Sequence, residues 1–309
     1  MSPQRTYILG TRGSALALAQ THLVLAALKA RHPQITWEVE PIRTTGDRDQ
    51  TTSLSQIGGQ GVFVNEIERA LLAGEIDLAV HSLKDVPSVL PDGLALAAML
   101  PREDPRDALV SRTGLTLGEL PEGARVGTGS MRRRAQLRAI RADLQLLDIR
   151  GNVDTRLRKV QEGTYDAAVL AVAGLRRLGR EDAISAVLSP EVMLPAPGQG
   201  TIVIQVRDDD DVAVQLVSTL DDPATRAAST AERAFLHVLG AGCRLPIGAY
   251  GTVEDSSLRL VGMIGAPDGG RLVRGEICGE IREAEALGNA LARQLLIQGG
   301  ADLLGEEGR

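Results

Sequence analysis

Apolar positions along the first hundred residues switch between two periods. Tyr7 to Gly10 is a short apolar run that predicts a buried strand, and Ser14 stands where a capping hydroxyl opens a helix running to about Ala30. Ile35 to Ile42 alternates with period two, as a half-buried strand does. Thr44 to Gly61 (TTGDRDQTTSLSQIGGQG) is polar, rich in glycine and without period, which predicts a long loop, either a lid or binding loop or a disordered surface excursion. The pattern then gives a helix over Val62 to Leu72, a strand over Asp77 to Val80 and a tight turn or single helical turn at His81 to Pro87. Strands follow over Leu94 to Met99 and Ala108 to Val110.

From Arg125 the sequence of elements restarts. A strand leads into GTGS, a helix over Met131 to Arg141, a strand over Leu144 to Ile149, a helix over Val153 to Gln161 and a strand over Ala167 to Leu170. A further helix ends at Arg177. Pro190 to Gly200 (PEVMLPAPGQG) interrupts the order, and Thr201 to Val206 is again a strand. Alternation of this kind predicts α/β layers with largely parallel sheets, in two similar domains of the two-lobed kind found in periplasmic binding proteins. After Asp222 the character changes: a long helix, a glycine-bracketed turn, strands over Ala249 to Val253, Leu258 to Ile264 and Arg271 to Ile281, and a closing helix over Ala284 to Gln298. This predicts a smaller C-terminal α+β domain with a three-stranded sheet. The expected division is residues 1–100 with 200–218, residues 101–199, and residues 222–309.

Composition adds constraints. The 309 residues suffice for several cores, but with Trp37, Phe63, Phe235, Tyr7, Tyr165 and Tyr250 as the only aromatics these must be built from Leu, Val, Ile and Ala. No apolar run reaches the ~18 residues of a membrane helix, and the first residues show no basic-then-apolar signal pattern, so a soluble, cytoplasmic chain is expected. Cys243 and Cys278 are too few for a disulfide framework. No His, Cys and Asp cluster has metal-ligand spacing, so no metal is expected. The net charge of −6 and the absence of interleaved aromatics argue against nucleic-acid binding, and the acidic balance favours a monomer.

Against that acidic background three clusters and one thiol stand out. Thr11-Arg12-Gly13-Ser14 is a strand-to-helix turn whose free N–H groups can bind a carboxylate or phosphate. Thr128-Gly129-Ser130-Met131-Arg132-Arg133-Arg134 repeats the design with three arginines, and Arg125 to Lys159 carries ten basic residues against three acidic ones. Arginine at a helix start opposes the dipole by about 0.3–1 kcal/mol each, so stability does not account for the row; the residues fit a bidentate anion site, with a solvated basic face as the alternative. Arg150 follows a strand, Arg156 lies on the next helix and Arg177 ends the one after. His81-Ser82-Leu83-Lys84-Asp85 sits where a strand runs into a polar turn, the usual place for ligand contacts in α/β folds. Asp85 and Lys84 fit either a surface pair of small worth or a carboxylate beside a cationic reaction centre. Cys243 follows a helix (Ala231, Ala234, Phe235, Val238, Leu239) stopped by Gly240 and Gly242, outside the apolar stripe and beside Arg244. The residues alone leave both a functional thiol and an ordinary small core residue open.

These segments, in this order, resemble the porphobilinogen deaminase (hydroxymethylbilane synthase) family over essentially the whole chain. They are GTRGSALALAQ at Gly10, TTGD at Thr44, AVHSLKDVP at Ala79, GTGSMRRRAQL at Gly127, IRGNVDTRL at Ile149, LPAPGQG at Leu194 and ERAFLHVLGAGCRLPIG at Glu232. The resemblance implies an enzyme that joins four porphobilinogen molecules head to tail, releasing ammonia each time, and frees hydroxymethylbilane for tetrapyrrole and heme synthesis. It implies a dipyrromethane cofactor thioether-linked to Cys243 and a catalytic carboxylate at Asp85. By the same resemblance, Ser82, Lys84, Thr128, Ser130, Arg132, Arg133 and Arg150 line the cofactor, and Arg12, Ser14, Arg156, Arg177 and Gln199 the substrate.

The chain departs from the family pattern at Gln60, where many members have lysine, at Gly129, where a hydroxyl residue is common, and at Leu245, where a β-branched residue is common. A non-catalytic two-lobed anion-binding protein is the competing reading; the missing signal pattern and the third domain with its cysteine oppose it. The implied cofactor yields a direct expectation: the denatured protein exceeds its sequence mass by one dipyrromethane, and Cys243→Ser removes the excess. Mass spectrometry of active wild type at the bare sequence mass would overturn the anchor assignment.

Overall fold

The computed structural model describes residues 5–44, 64–240, 245–266 and 268–304. Among these, the residues up to Arg102 together with Thr201–Arg226 form one compact unit, and Glu103–Gly200 with the residues from Ala227 onward form another.

In the first unit, β1 (Thr6–Arg12), β2 (Thr36–Ile42), β3 (Leu78–Ser82), β4 (Leu94–Met99) and β10 (Ile202–Arg207) make a sheet of order β2-β1-β3-β10-β4. β1 is parallel to β2 and β3, while β10 runs antiparallel to β3 and to β4. The helix Ala15–Arg31 covers one face. Its cap is Ser14, whose hydroxyl accepts from the Ala17 N–H at 3.3 Å, and Lys29 and Arg31 sit in its last turn, where cations complement the helix dipole. Leu9, Val24, Leu28, Leu78, Val80, Ile204 and Val206 fill that side of the sheet, and Ile67 and Leu71 of the helix Asn65–Leu72 pack with Ile76 and Ala79 in a second core.

The second unit repeats the plan. β5 (Asp107–Ser111), β6 (Arg125–Gly127), β7 (Gln145–Leu147), β8 (Ala167–Ala171) and β9 (Ala186–Leu188) form a sheet of order β7-β6-β8-β5-β9, in which β5 is antiparallel to both its neighbours. The fourth position of each sheet is thus antiparallel: β10 in the first, β5 in the second. The sheets are mixed where largely parallel ones were expected, because strand direction is set by long-range chain routing that local periodicity does not encode. The matched strand orders give the two similar α/β domains the sequence predicts.

Also in the second unit, β11 (Ile247–Glu254), β12 (Ser257–Gly265) and β13 (Leu272–Glu280) form an antiparallel three-stranded meander. Phe235 from the helix Pro223–Val238 and Leu291 and Leu295 from the helix Ala284–Leu295 are fully buried in the core of this sheet. The segment 190–200 is tied to the meander. Pro195 O accepts from the Ala249 N–H at 3.1 Å, and Arg274 donates to the carbonyls of Glu191 and Pro190. The buried Glu232 carboxylate accepts from the N–H groups of Gly198 at 2.6 Å and Gly251 at 2.7 Å. The closing helix is shorter than the predicted span to Gln298, giving way to a wider turn over Leu296–Gly300 in which Gly299 has φ 102°.

Gly288 sets the spacing of the two helices behind the meander, since a Cβ there would lie 2.2 Å from the Ala231 carbonyl oxygen. Backbone cannot yield as a side chain can, so Gly288→Ala is expected to cost roughly 1–3 kcal/mol. Urea unfolding measures this, and an unchanged midpoint would contradict the close approach.

Candidate active site

The candidate residues of the first unit collect at the C-terminal ends of β1 and β3, the edge where open α/β sheets present ligand contacts. β1 ends at Arg12, followed directly by the Ser14 cap. β3 ends at Ser82 and passes into a single 3₁₀ turn, Leu83–Asp85. Leu83 is buried and its N–H donates to Thr201 O at 3.0 Å, which pins the turn and leaves Lys84 and Asp85 half-buried at its rim. The Ser82 hydroxyl meets the amide of the buried Gln20 at 3.0 Å. Arg12, Ser14, Gln20, His81, Ser82 and Asp85 line one recess of about 50 Å³. Among the described residues, the Asp85 carboxylate accepts no hydrogen bond and enters no ion pair. A bare carboxylate facing the same recess as a guanidinium can meet a substrate carrying both charges.

Behind the recess lies a buried polar chain. His81 Nε2 is 3.1 Å from Gln205 Oε1, and Gln205 Nε2 donates to Glu68 Oε1 at 2.9 Å. Burial pushes the His81 imidazole down to about 4, against the hydrogen bond to Gln205 and with help from the Arg12 charge.

In the second unit the centre of the arrangement is Asp107, which is fully buried at the start of β5. Its carboxylate accepts from Arg132 Nη1 at 2.8 Å, Arg133 Nη2 at 2.6 Å and Nε at 3.1 Å, and Gln199 Nε2 at 2.8 Å. Burial alone would raise this carboxyl, but the two guanidinium groups outweigh it and hold it well below the usual carboxylate range. Arg132 also donates to Leu194 O, Arg133 to Val169 O, and Gln199 to Pro105 O. Arg134 turns away to Asp148 at 2.7 Å. The arginine row at the start of the helix Met131–Ile140 is therefore largely internal. Two guanidinium charges face one carboxylate, leaving an excess positive charge, and Arg132 Nε is buried without a hydrogen-bond partner among the described residues.

The other predicted residues of this unit sit nearby in the fold. Thr128 and Ser130 follow β6; the Thr128 hydroxyl accepts from the Ser130 N–H at 3.3 Å, and Ser130 caps the helix. Arg150 follows β7, half-buried, and its guanidinium makes no ion pair among the described residues. Arg156 Nε donates to Gly151 O at 2.8 Å, and Arg177 donates to Gly200 O at 2.5 Å. Burial pushes Arg177 down to about 10. At Gly129 a Cβ would make ordinary contact, 3.5 Å from Ile149 O, and Leu245 packs against the core of the meander. Cys243, Arg244 and Gln60 lie outside the described residues.

Sequence reasoning missed Asp107, Gln205 and Glu68. An acidic residue heading the apolar run DALV was the available signal for Asp107, and a lone glutamine inside IVIQVR the signal for Gln205. No helix among the described residues is long and apolar enough to cross a membrane.

Comparison with known proteins decides the family. The model of the porphobilinogen deaminase dipyromethane cofactor binding domain matches residues 7–215, and that of the porphobilinogen deaminase C-terminal domain matches residues 227–297. The chain belongs to the porphobilinogen deaminase family. It is 56% identical over 296 residues to the porphobilinogen deaminase of Roseiflexus castenholzii, covering 96% of this chain and 97% of the relative. It is 49% identical to that of Brevibacillus brevis over 298 residues, 96% of each chain. Among solved structures, the BvgS periplasmic VFT2 domain of Bordetella pertussis aligns at 15% identity and a TM-score of 0.42, covering 71% of this chain and 88% of that one. At such a score the sheet order of each unit, and not this likeness, carries the fold assignment. The dipyrromethane of the family bears carboxylates, and the excess positive charge at Asp107, the partnerless Arg132 Nε and the uncommitted Arg150 fit such a group.

The buried imidazole gives a pH expectation. An unfolded histidine takes up its proton near 6.5 and His81 in the fold only near 4. Between those values the unfolded state binds more protons, so stability falls as pH drops from about 6.5 to 4, by up to about 3 kcal/mol. Urea unfolding across this range measures it, and His81→Gln is expected to flatten that limb.

Proposed function

We infer that this protein is a hydroxymethylbilane synthase, condensing four porphobilinogen molecules stepwise onto a covalently held dipyrromethane primer and releasing hydroxymethylbilane by hydrolysis. The observation that carries the reading is a porphobilinogen deaminase match through both α/β units and the meander, with an uncommitted Asp85 facing a recess that holds Arg12. The competing reading, a two-lobed anion-binding protein, has no comparable support.

In this reading the C–N bond of the substrate's aminomethyl group breaks, the electron pair leaves with ammonia, and the pyrrole ring is left cationic. Asp85 stabilises that cation, more strongly in a recess than in water. The ring that is attacked gives up a proton when the new C–C bond forms, and Asp85 is the group assigned to take it. Arg12 and Ser14 hold a substrate carboxylate, with the helix start at Ala15 contributing its N–H groups. When bound, the dipyrromethane supplies the fixed ring pair to which the first substrate is joined. Cys243 is its proposed anchor, and Ser82, Lys84, Thr128, Ser130, Arg132, Arg133 and Arg150 its proposed contacts. Arg156, Arg177 and Gln199 are assigned to the lengthening chain, whose acetate and propionate groups add negative charge with every ring. The same reading divides the chain into residues 1–100 with 200–218, residues 101–199 and residues 222–309, and makes the protein a cytoplasmic monomer.

Asp85→Asn tests the central assignment. The variant is expected to fold with an unchanged unfolding midpoint, keep the cofactor mass excess and lose about 10²–10⁴-fold in turnover of porphobilinogen. A normal rate would move the carboxylate role elsewhere.

A further inference from the structure

Among the described residues lining the recess, His81 is the one with an ionisable side chain that the reaction above does not use. Its ring orientation is fixed by a chain of partners. Gln205 Nε2 donates to the Glu68 carboxylate, so the Gln205 amide turns its oxygen toward His81. An oxygen there can only accept, so His81 Nε2 carries the proton and Nδ1 carries a lone pair. Gln205 is fully buried and Glu68 is 4% exposed, so neither can exchange its partner for water. Nδ1 has no hydrogen-bond partner among the described residues, and His81 is one of the residues lining the recess, with Arg12, Ser82 and Asp85.

We propose that His81 is a built-in neutral acceptor of the recess, its Nδ1 receiving an N–H of the bound substrate. The inference rests on the reading of the protein as an enzyme acting on porphobilinogen, which offers two kinds of N–H donor, the ring nitrogen and the protonated amine. A neutral acceptor complements Asp85: it orients an N–H without adding a second negative charge beside the leaving ammonia. The Glu68–Gln205 chain acts as a positioning device, and burial keeps the imidazole uncharged beside Arg12.

Glutamine places its terminal amide where Nε2 stands, keeping the bond to Gln205 but losing the acceptor; asparagine places its amide where Nδ1 stands. His81→Gln is expected to lower kcat/KM about 10–100-fold, mainly through KM, and His81→Asn to recover a large part of that loss. Equal kcat/KM in wild type and His81→Gln overturns the proposal, as does an equal loss in both variants that follows their melting temperatures. The donor is identified with porphobilinogen methylated on the ring nitrogen. A glutamine effect that vanishes with this analogue assigns the ring N–H, and one that persists assigns the amine. Independently of turnover, ¹⁵N NMR of the Asp85→Asn protein should show His81 as the Nε2–H tautomer, with Nδ1 shifting when porphobilinogen is added; an Nδ1–H tautomer overturns the proposal. Failure of the wild type to consume porphobilinogen would instead remove the underlying functional reading.

Discussion

The second unit is organised around a carboxylate that water does not reach. Asp107 is fully buried, and moving such a charge out of water costs several kcal/mol unless it is paired and fully hydrogen-bonded. Arg132 and Arg133 supply the pairing and Gln199 a further donor, so one residue at the head of β5 fixes the start of a helix and the segment 194–199 together. This also accounts for arginines at the end of a helix where the dipole opposes them. The roughly 0.3–1 kcal/mol that each arginine loses to the dipole is small beside the several kcal/mol that an unpaired buried anion would cost. The balance is deliberately incomplete in charge: two cations to one anion, in a place where an unbalanced charge favours a ligand that completes it.

The first unit solves the same problem with less charge. Its recess is shaped by a capped helix start, a strand end and a 3₁₀ turn, and the groups that face it differ in kind. Arg12 is cationic, Asp85 anionic, Ser14 and Ser82 are hydroxyls, and His81 is a neutral ring. Such a mixture suits a substrate with acid groups at one end and an amine at the other. Ser14 is tied to the Ala17 N–H, Ser82 to Gln20 and His81 to Gln205, so these three need little reordering on binding.

Much of this was legible in the sequence because it is local. β4 and the helix Val153–Gln161 fall on their predicted bounds, since both have clear periods with breakers at each end. Ser14 as a cap and Ser82 to Asp85 at a strand end could be read from a few residues each. β9 could not, since three residues carry no period, and the antiparallel strands could not, since direction depends on the route of the chain. The partnerships of Asp107 with Gln199 and of His81 with Gln205 span 92 and 124 positions, so no local pattern announces them. The residue types were visible; who would meet whom was not.

The position of β10 has a consequence for how the protein is made. It lies between β3 and β4, and among the described residues β4 pairs with no other strand, yet the residues of β10 follow the whole of β5 to β9 in the sequence. An emerging chain that has reached residue 102 has four of the five strands of its first sheet but lacks the one that joins the last to the rest. The second sheet, by contrast, is drawn from one continuous stretch between Asp107 and Leu188 and has all its strands before β10 is synthesised. On the ribosome the later-coded sheet therefore has the means to close first, while the earlier one waits, with apolar edges open, for about a hundred further residues.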